Sequence, residues 1–145
     1  MANDAPFRNA GTPADDVSRR RLRVYLVDEA SPFRDRLADF LTDAGDVEVT
    51  GFADSEAAAL HDLRGAPPDV VIVDLRLREG SGIGVIESLR SQWPRRPPTI
   101  VVLTNYALPE LETACRARGA DHFYDKSTQF AAVKTLLHSL RASER

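Results

Sequence analysis

Five polar residues each follow a short apolar run, and together they could carry charge-transfer chemistry. Val24-Tyr25-Leu26-Val27 leads into Asp28-Glu29, Val70-Val71-Ile72-Val73 into Asp74, and Thr99 to Leu103 into Thr104; His122-Phe123-Tyr124 runs on towards Lys126. If the runs are parallel strands, all five polar side chains stand at one edge of the sheet. Three acids gathered there repel one another, and one of them takes up a proton unless a cation intervenes. A hard divalent ion resolves the repulsion, and Mg²⁺ with carboxylate and water ligands suits such a donor set. A lysine there pairs with a carboxylate or with phosphoryl oxygens, and a threonine hydroxyl can donate to a phosphoryl oxygen. These are the parts for phosphoryl transfer to an aspartate, with metal and lysine neutralising developing charge.

The elements that must position these residues are legible as five alternations of strand and helix. A helix after the first strand has Ser31 as its expected N-cap and Pro32 at its first position, with Phe33, Leu37, Phe40, Leu41 and Ala44 on one stripe before Gly45. Val47 to Phe52 reads as the second strand. Ala57 to Leu63 reads as a short Ala-rich helix that begins near Asp54 or Ser55 and closes at Pro67-Pro68. Val70 to Val73 is apolar at every position, as a central strand covered by helices on both faces must be. After Gly80-Ser81-Gly82, a helix carrying Val85, Ile86, Leu89 and Trp93 ends before Pro94, Pro97 and Pro98. A fourth helix spans Pro109 to Arg118 with Leu111, Ala114 and Cys115 inward and Gly119 behind it; the fifth carries Phe130, Val133, Leu136, Leu137 and Leu140. Five such units in this length imply a flavodoxin-like, doubly wound, five-stranded parallel sheet with five helices. Ligands of such folds gather at the carboxyl ends of the strands, beside the topological switch point.

Composition narrows the class. The 145 residues suit one domain, and a formal charge of -3 supplies no basic surplus for direct nucleic-acid binding. The run Arg19-Arg20-Arg21-Leu22-Arg23 reads either as a nucleic-acid or acidic-partner patch or, more simply, as solvated arginines. Cys115 is the single cysteine, which excludes an intramolecular disulfide and reads as a small core residue. With no apolar signal segment or membrane span, a cytoplasmic setting is expected. Residues 1–20 are expected to be a disordered arm, 21–142 the folded domain and 143–145 a tail.

The ordered set of Val27-Asp28-Glu29, Asp74, Gly80-Ser81-Gly82, Thr104 and Gly119-Ala120-Asp121 before Lys126 resembles the receiver domain of bacterial two-component response regulators, over roughly Arg23 to Leu140. The resemblance implies that Asp74 is the phosphoacceptor. It implies that Asp28, Glu29 and Asp74 hold Mg²⁺ together with the Arg76 backbone carbonyl. Thr104 would bind the phosphoryl group, Lys126 would pair with it, and Phe123 would be the switch aromatic whose rotamer follows Thr104. The chain departs from the family in four places. Glu29 stands where a second aspartate is common. Ser127 follows Lys126 where proline, often cis, is usual; a non-proline cis bond costs ~2.5–4 kcal/mol, so a trans or differently folded loop is expected. Asn105 replaces a small residue. Arg76 and Tyr106 occupy the two variable positions that flank the phosphoryl site in the family, and both are large enough to cover the approach of water.

By the same resemblance the partners are a histidine kinase or phosphotransfer protein and a downstream protein target, with a homodimer through the fourth helix, fifth strand and fifth helix also open. Neither nucleic acid nor membrane is an expected partner. The chain would act only on itself, by self-phosphoryl transfer and autodephosphorylation. It would be either a stand-alone receiver or part of a longer regulator. Two alternatives compete. One is a receiver-like binding module independent of phosphorylation. The other is a haloacid-dehalogenase-like phosphatase, which wants a second aspartate where Asp74-Leu75-Arg76 has arginine. Taken singly, Asp28 could cap a helix, Asp74 be a loop acid, Thr104 a strand-end hydroxyl, Lys126 a solvated lysine and Phe123 plain core. His61, His122 and His138 lack metal-ligand spacing.

Overall fold

A computed structural model describes residues 20–95 and 97–143. Ten elements alternate: β1 (Leu22–Val27), α1 (Ser31–Thr42), β2 (Val47–Ala53), α2 (Glu56–Asp62), β3 (Val70–Val73), α3 (Gly82–Gln92), β4 (Thr99–Thr104), α4 (Pro109–Arg118), β5 (His122–Asp125) and α5 (Phe130–Ser143). The strands form one parallel sheet in the order β2-β1-β3-β4-β5, which puts β3 at its centre and the reversal of strand order between β1 and β3. The flavodoxin-like expectation is met. The expected arm lies outside the described residues apart from Arg20, and α5 takes in Ser143 of the expected tail.

Side-chain alternation explains the two layers. Leu22, Val24 and Leu26 of β1 face a cluster with Leu37 and Leu41 of α1 and Val133 and Leu137 of α5. Tyr25 and Val27 face the opposite cluster, with Ala59 of α2, Val85, Ile86 and Leu89 of α3 and Cys115 of α4. β3 contributes to both, Val70 and Ile72 to one and Val71 and Val73 to the other. Each such fully buried branched side chain contributes about 1.5–3 kcal/mol by leaving water, enough to fix which face every strand residue takes. Among the described residues no helix is long and apolar enough to cross a membrane.

Local chemistry sets where the helices begin and end. Ser55 caps α2 by accepting from Ala58 N, and Ser81 caps α3 by accepting from Gly84 N. Helix α1 differs from expectation: Ala30 is its N-cap, Ser31 is already helical, and no side chain caps it. The turn is held instead by Asp28, whose Oδ1 accepts from Ala30 N at 2.8 Å. Ala44 falls beyond the end of α1 and is exposed rather than inward. Gly119, at φ 121°, caps α4 in a conformation that suits glycine, and Arg90 packs where its side chain would stand.

Candidate functional site at the carboxyl edge of the sheet

Asp28 and Asp74 emerge from β1 and β3, the strands on either side of the switch point, and Lys126 reaches them from the end of β5. Lys126 Nζ lies 2.8 Å from Asp28 Oδ2 and 2.8 Å from Asp74 Oδ2. All three are buried, at 5%, 7% and 8% exposure. The second oxygen of each carboxylate accepts a backbone N–H: Asp28 Oδ1 from Ala30 and Asp74 Oδ1 from Leu75 at 2.7 Å. Desolvation alone would lower the Lys126 pKa, but its hydrogen bonds to Asp28 and Asp74 and their charges outweigh burial and hold it above the ordinary lysine value. The face of Phe33, in the first turn of α1, lies 4.3 Å from Nζ and adds a cation–π contact. Two carboxylates against one ammonium leave the cluster at net -1.

Thr104 ends β4 fully buried, and its hydroxyl accepts from Tyr106 N at 3.1 Å. Its backbone carbonyl receives Lys126 N at 2.9 Å, so the β4 and β5 ends are tied together. Phe123 is 8% exposed and packs into the cluster shared with Val102, Cys115 and Ala120. The loop after Lys126 is trans, since the described residues contain no cis peptide. Asp125 organises it: Oδ1 accepts from Ser127 N, Ser127 Oγ and Thr128 N, while Gln129 Oε1 accepts from Asp125 N. The Ser127 hydrogen bonds hold the Asp125 carboxyl below the ordinary range.

Arg76 and Tyr106 meet between the two loops that leave β3 and β4. The Arg76 guanidinium donates to the Tyr106 hydroxyl and lies 4.9 Å from the centre of its ring. The contact joins the β3–α3 loop, which starts at Asp74, to the β4–α4 loop, which follows Thr104.

Of the sequence-identified residues, Asp28, Asp74 and Lys126 are in direct contact, with Thr104 bonded to the Lys126 backbone, while Phe123 lies in the apolar cluster. Glu29 is exposed beside them. The donor chemistry fits Mg²⁺: two buried carboxylates with partly free oxygens carry a residual negative charge, and this ion takes one or two carboxylates and keeps several waters. Sequence reading missed two supports. Arg34 Nη1 donates to the Asp28 carbonyl at 2.8 Å while its guanidinium stacks 4.0 Å over Phe52, and Phe33 backs Lys126. Helical spacing marked Phe33 only as core, and nothing in a single sequence distinguishes Arg34 from Arg36, the other arginine of α1. The three histidines stay apart: His61 pairs with Arg64, His122 stacks on Tyr124, and His138 meets Asp46 at 2.5 Å.

Known proteins with this pattern are numerous. The response regulator receiver domain family matches residues 24–138. The photosynthetic apparatus regulatory protein RegA of Cereibacter sphaeroides is 37% identical over 120 residues, 82% of this chain and 61% of RegA. The transcriptional activator DevR/DosR of Mycobacterium tuberculosis is 32% identical over 105 residues, 72% of this chain and 48% of that protein. The chain thus spans about half to three fifths of these curated relatives. The receiver domain of NarL from Mycobacterium tuberculosis superposes with a TM-score of 0.75 at 25% identity, covering 84% of this chain and 97% of that structure. The family match decides against the haloacid-dehalogenase-like alternative and does not favour a phosphorylation-independent module. Sequence, strand order and the placement of the buried ion cluster agree, and the chain belongs to the receiver-domain family of two-component response regulators.

Proposed function

We propose that this chain accepts a phosphoryl group on Asp74 from a histidine kinase or phosphotransfer protein, the class of partner with which receiver domains interact. The observation that carries the reading is the buried Asp28–Lys126–Asp74 cluster at the topological switch point. Receiver domains in general bind Mg²⁺ for this reaction. Here Asp28, Asp74 and the Arg76 carbonyl would hold it, with exposed Glu29 within reach through its longer side chain, and it would neutralise the charge of the incoming group. An Asp74 oxygen attacks phosphorus, the bond from phosphorus to the donor nitrogen breaks, and the nitrogen leaves with its electron pair. Lys126 pairs with the transferred group, having been held in place by the two acids. Thr104 releases the Tyr106 amide and turns its hydroxyl to a phosphoryl oxygen, and Phe123 follows into the space vacated. The face of α4, β5 and α5 is remodelled for a protein target or a second copy. The group added brings charge near -2 and three strong acceptors, which favours the loop arrangement able to bond to it.

Intact mass after treatment with acetyl phosphate and Mg²⁺ tests this. A gain of one phosphoryl group is expected in the native chain and none in Asp74→Ala; equal labelling of the variant, or full labelling in excess chelator, refutes it. Glu29→Gln should weaken Mg²⁺ binding, and unchanged affinity removes Glu29 from the ligand set.

A further inference from the structure

The β3–α3 loop is fastened to the preceding β2–α2 turn from a direction that the site chemistry does not require. Arg78 N donates to Asp54 O, and the Arg78 guanidinium grips the Asp54 carboxylate with two contacts of 3.1 Å. Glu56 N donates to Glu79 O at 3.0 Å, and Glu56 Oε1 accepts from Ser81 N at 2.9 Å. The Glu56 carboxylate sits in a space that only glycines leave. A β-carbon on Gly80 would lie 2.5 Å from Glu56 Cβ, and one on Gly84 would lie 2.4 Å from its Oε2. The far side of the same loop bears on the phosphoacceptor. Gly82 N donates to Leu75 O at 3.0 Å, a β-carbon on Gly82 would stand 2.1 Å from the Asp74 carbonyl oxygen, and Arg76 pairs with Ser81 in an antiparallel bridge.

We infer that Glu56 is a positioning residue for the phosphoacceptor loop: its carboxylate, lodged between Gly80 and Gly84 on the Ser81 amide, sets the placement of Asp74 and of the Arg76 carbonyl. The inference rests on the reading of Asp74 given above and adds a residue from a different βα unit to it. An acid in the first turn of α2 would serve that helix's dipole from any rotamer. Reaching across to Ser81 serves α3 and the loop instead. Ser81 is the hinge of this arrangement, since its amide is held by Glu56, its hydroxyl caps α3 and its backbone pairs with Arg76.

Three variants test it. Glu56→Ala removes the acceptor, Glu56→Gln keeps an oxygen for Ser81 N, and Gly84→Ala drives the carboxylate out from the other side while placing a better helix former in α3. Two readouts need no phosphorylation: the Mg²⁺ midpoint from the Leu75 and Arg76 amide signals, and the exchange rate of the Ser81 amide. Outer-shell losses commonly cost a metal site about 10–100-fold, and a support acting through the backbone is expected at the low end, about three- to tenfold, in both Glu56→Ala and Gly84→Ala. Ser81 exchange should quicken in the same two, and acetyl phosphate labelling should slow with them. Glu56→Gln should stay within about twofold of the native chain, because the hydrogen bond survives. Midpoints in Glu56→Ala and Gly84→Ala within about twofold of native overturn the inference, as does a loss in Glu56→Gln equal to that in Glu56→Ala. Should Glu56→Ala fail to fold, Gly84→Ala and Glu56→Gln decide it. If the native chain takes no phosphoryl group at all, the reading of Asp74 fails, while metal titration and Ser81 exchange still judge Glu56.

Discussion

Removing the Arg76–Tyr106 bridge should shorten the life of the phosphorylated protein. Hydrolysis requires a water in line with the bond from Asp74 to phosphorus; Arg76 and Tyr106, each two residues beyond Asp74 and Thr104 on neighbouring loops, touch each other, and we propose that the joined pair covers that approach. The size of the effect follows from the stability of the contact. One hydrogen bond contributes about 0.5–1.5 kcal/mol net. A cation–π pair at an exposed site adds about 0.5–1 kcal/mol, and Tyr106 is 42% exposed, which places it at the lower end. Ordering a long arginine side chain takes back roughly 1 kcal/mol. About 0.5 kcal/mol therefore favours the closed arrangement, so the pair is apart roughly three tenths of the time. If water attacks only when the pair is apart, the double variant Arg76→Ala, Tyr106→Ala should lose its phosphoryl group about threefold faster. Tyr106→Phe keeps the ring but loses the hydrogen bond, the larger attractive contribution, so closure becomes unfavourable and decay should quicken about twofold. The assay is intact mass against time after the donor is removed, for the native chain, both single alanine variants and the double. Because the two side chains act as one closure, either single alanine change should give nearly the full acceleration. A double variant that decays no faster than the native chain refutes the shielding, and purely additive single effects refute the closure as a unit.

Three further outcomes follow from the same geometry. Lys126→Met leaves two buried carboxylates without their shared cation and should cost about 3–5 kcal/mol in urea unfolding at neutral pH without Mg²⁺, with a loss under about 1 kcal/mol contradicting the cluster's charge state. Burial and the Asp62 hydrogen bond raise the Tyr25 pKa well above the ordinary tyrosine value, and Lys126 is also raised. Above about pH 10 the folded state therefore holds protons that the unfolded chain has lost. Stability contributed by these two groups is complete below that pH and falls as pH rises through their folded values; a urea midpoint flat from pH 9 to pH 11, or equally steep in Tyr25→Phe, would count against it. Gly82→Ala forces a β-carbon onto the Asp74 carbonyl and should cost about 1–3 kcal/mol and slow acetyl phosphate labelling, whereas a variant as stable and as quickly labelled as the native chain would show that α3 need not press on Asp74.

Much of this protein is written locally in its sequence. The uniformly apolar Val70–Val73 and the alternating β1 specify buried parallel strands because strand side chains have a period of two and helices must cover both faces. Ser55 announces the start of α2 by supplying an oxygen to the amide three residues ahead. Asp28, Asp74, Thr104 and Lys126 could be placed at one edge because parallel strands all end on the same side. Where information had to cross from one βα unit to another, the sequence was silent. Ser31 looked like the cap of α1, yet Asp28 ties that turn while its other oxygen faces Lys126, a choice made by a lysine 98 positions away, just past the end of β5. Arg34 under Asp28, Phe33 behind Lys126 and Glu56 beneath the β3–α3 loop are ordinary helix residues in sequence. Their roles come from neighbours brought within hydrogen-bond or ring-contact distance by the sheet. The meeting of Arg76 with Tyr106 is of the same kind: the residue types allowed it, and only the spacing of the β3 and β4 ends, fixed by their ladder from Val70 to Val73, brings the two loops close enough to touch.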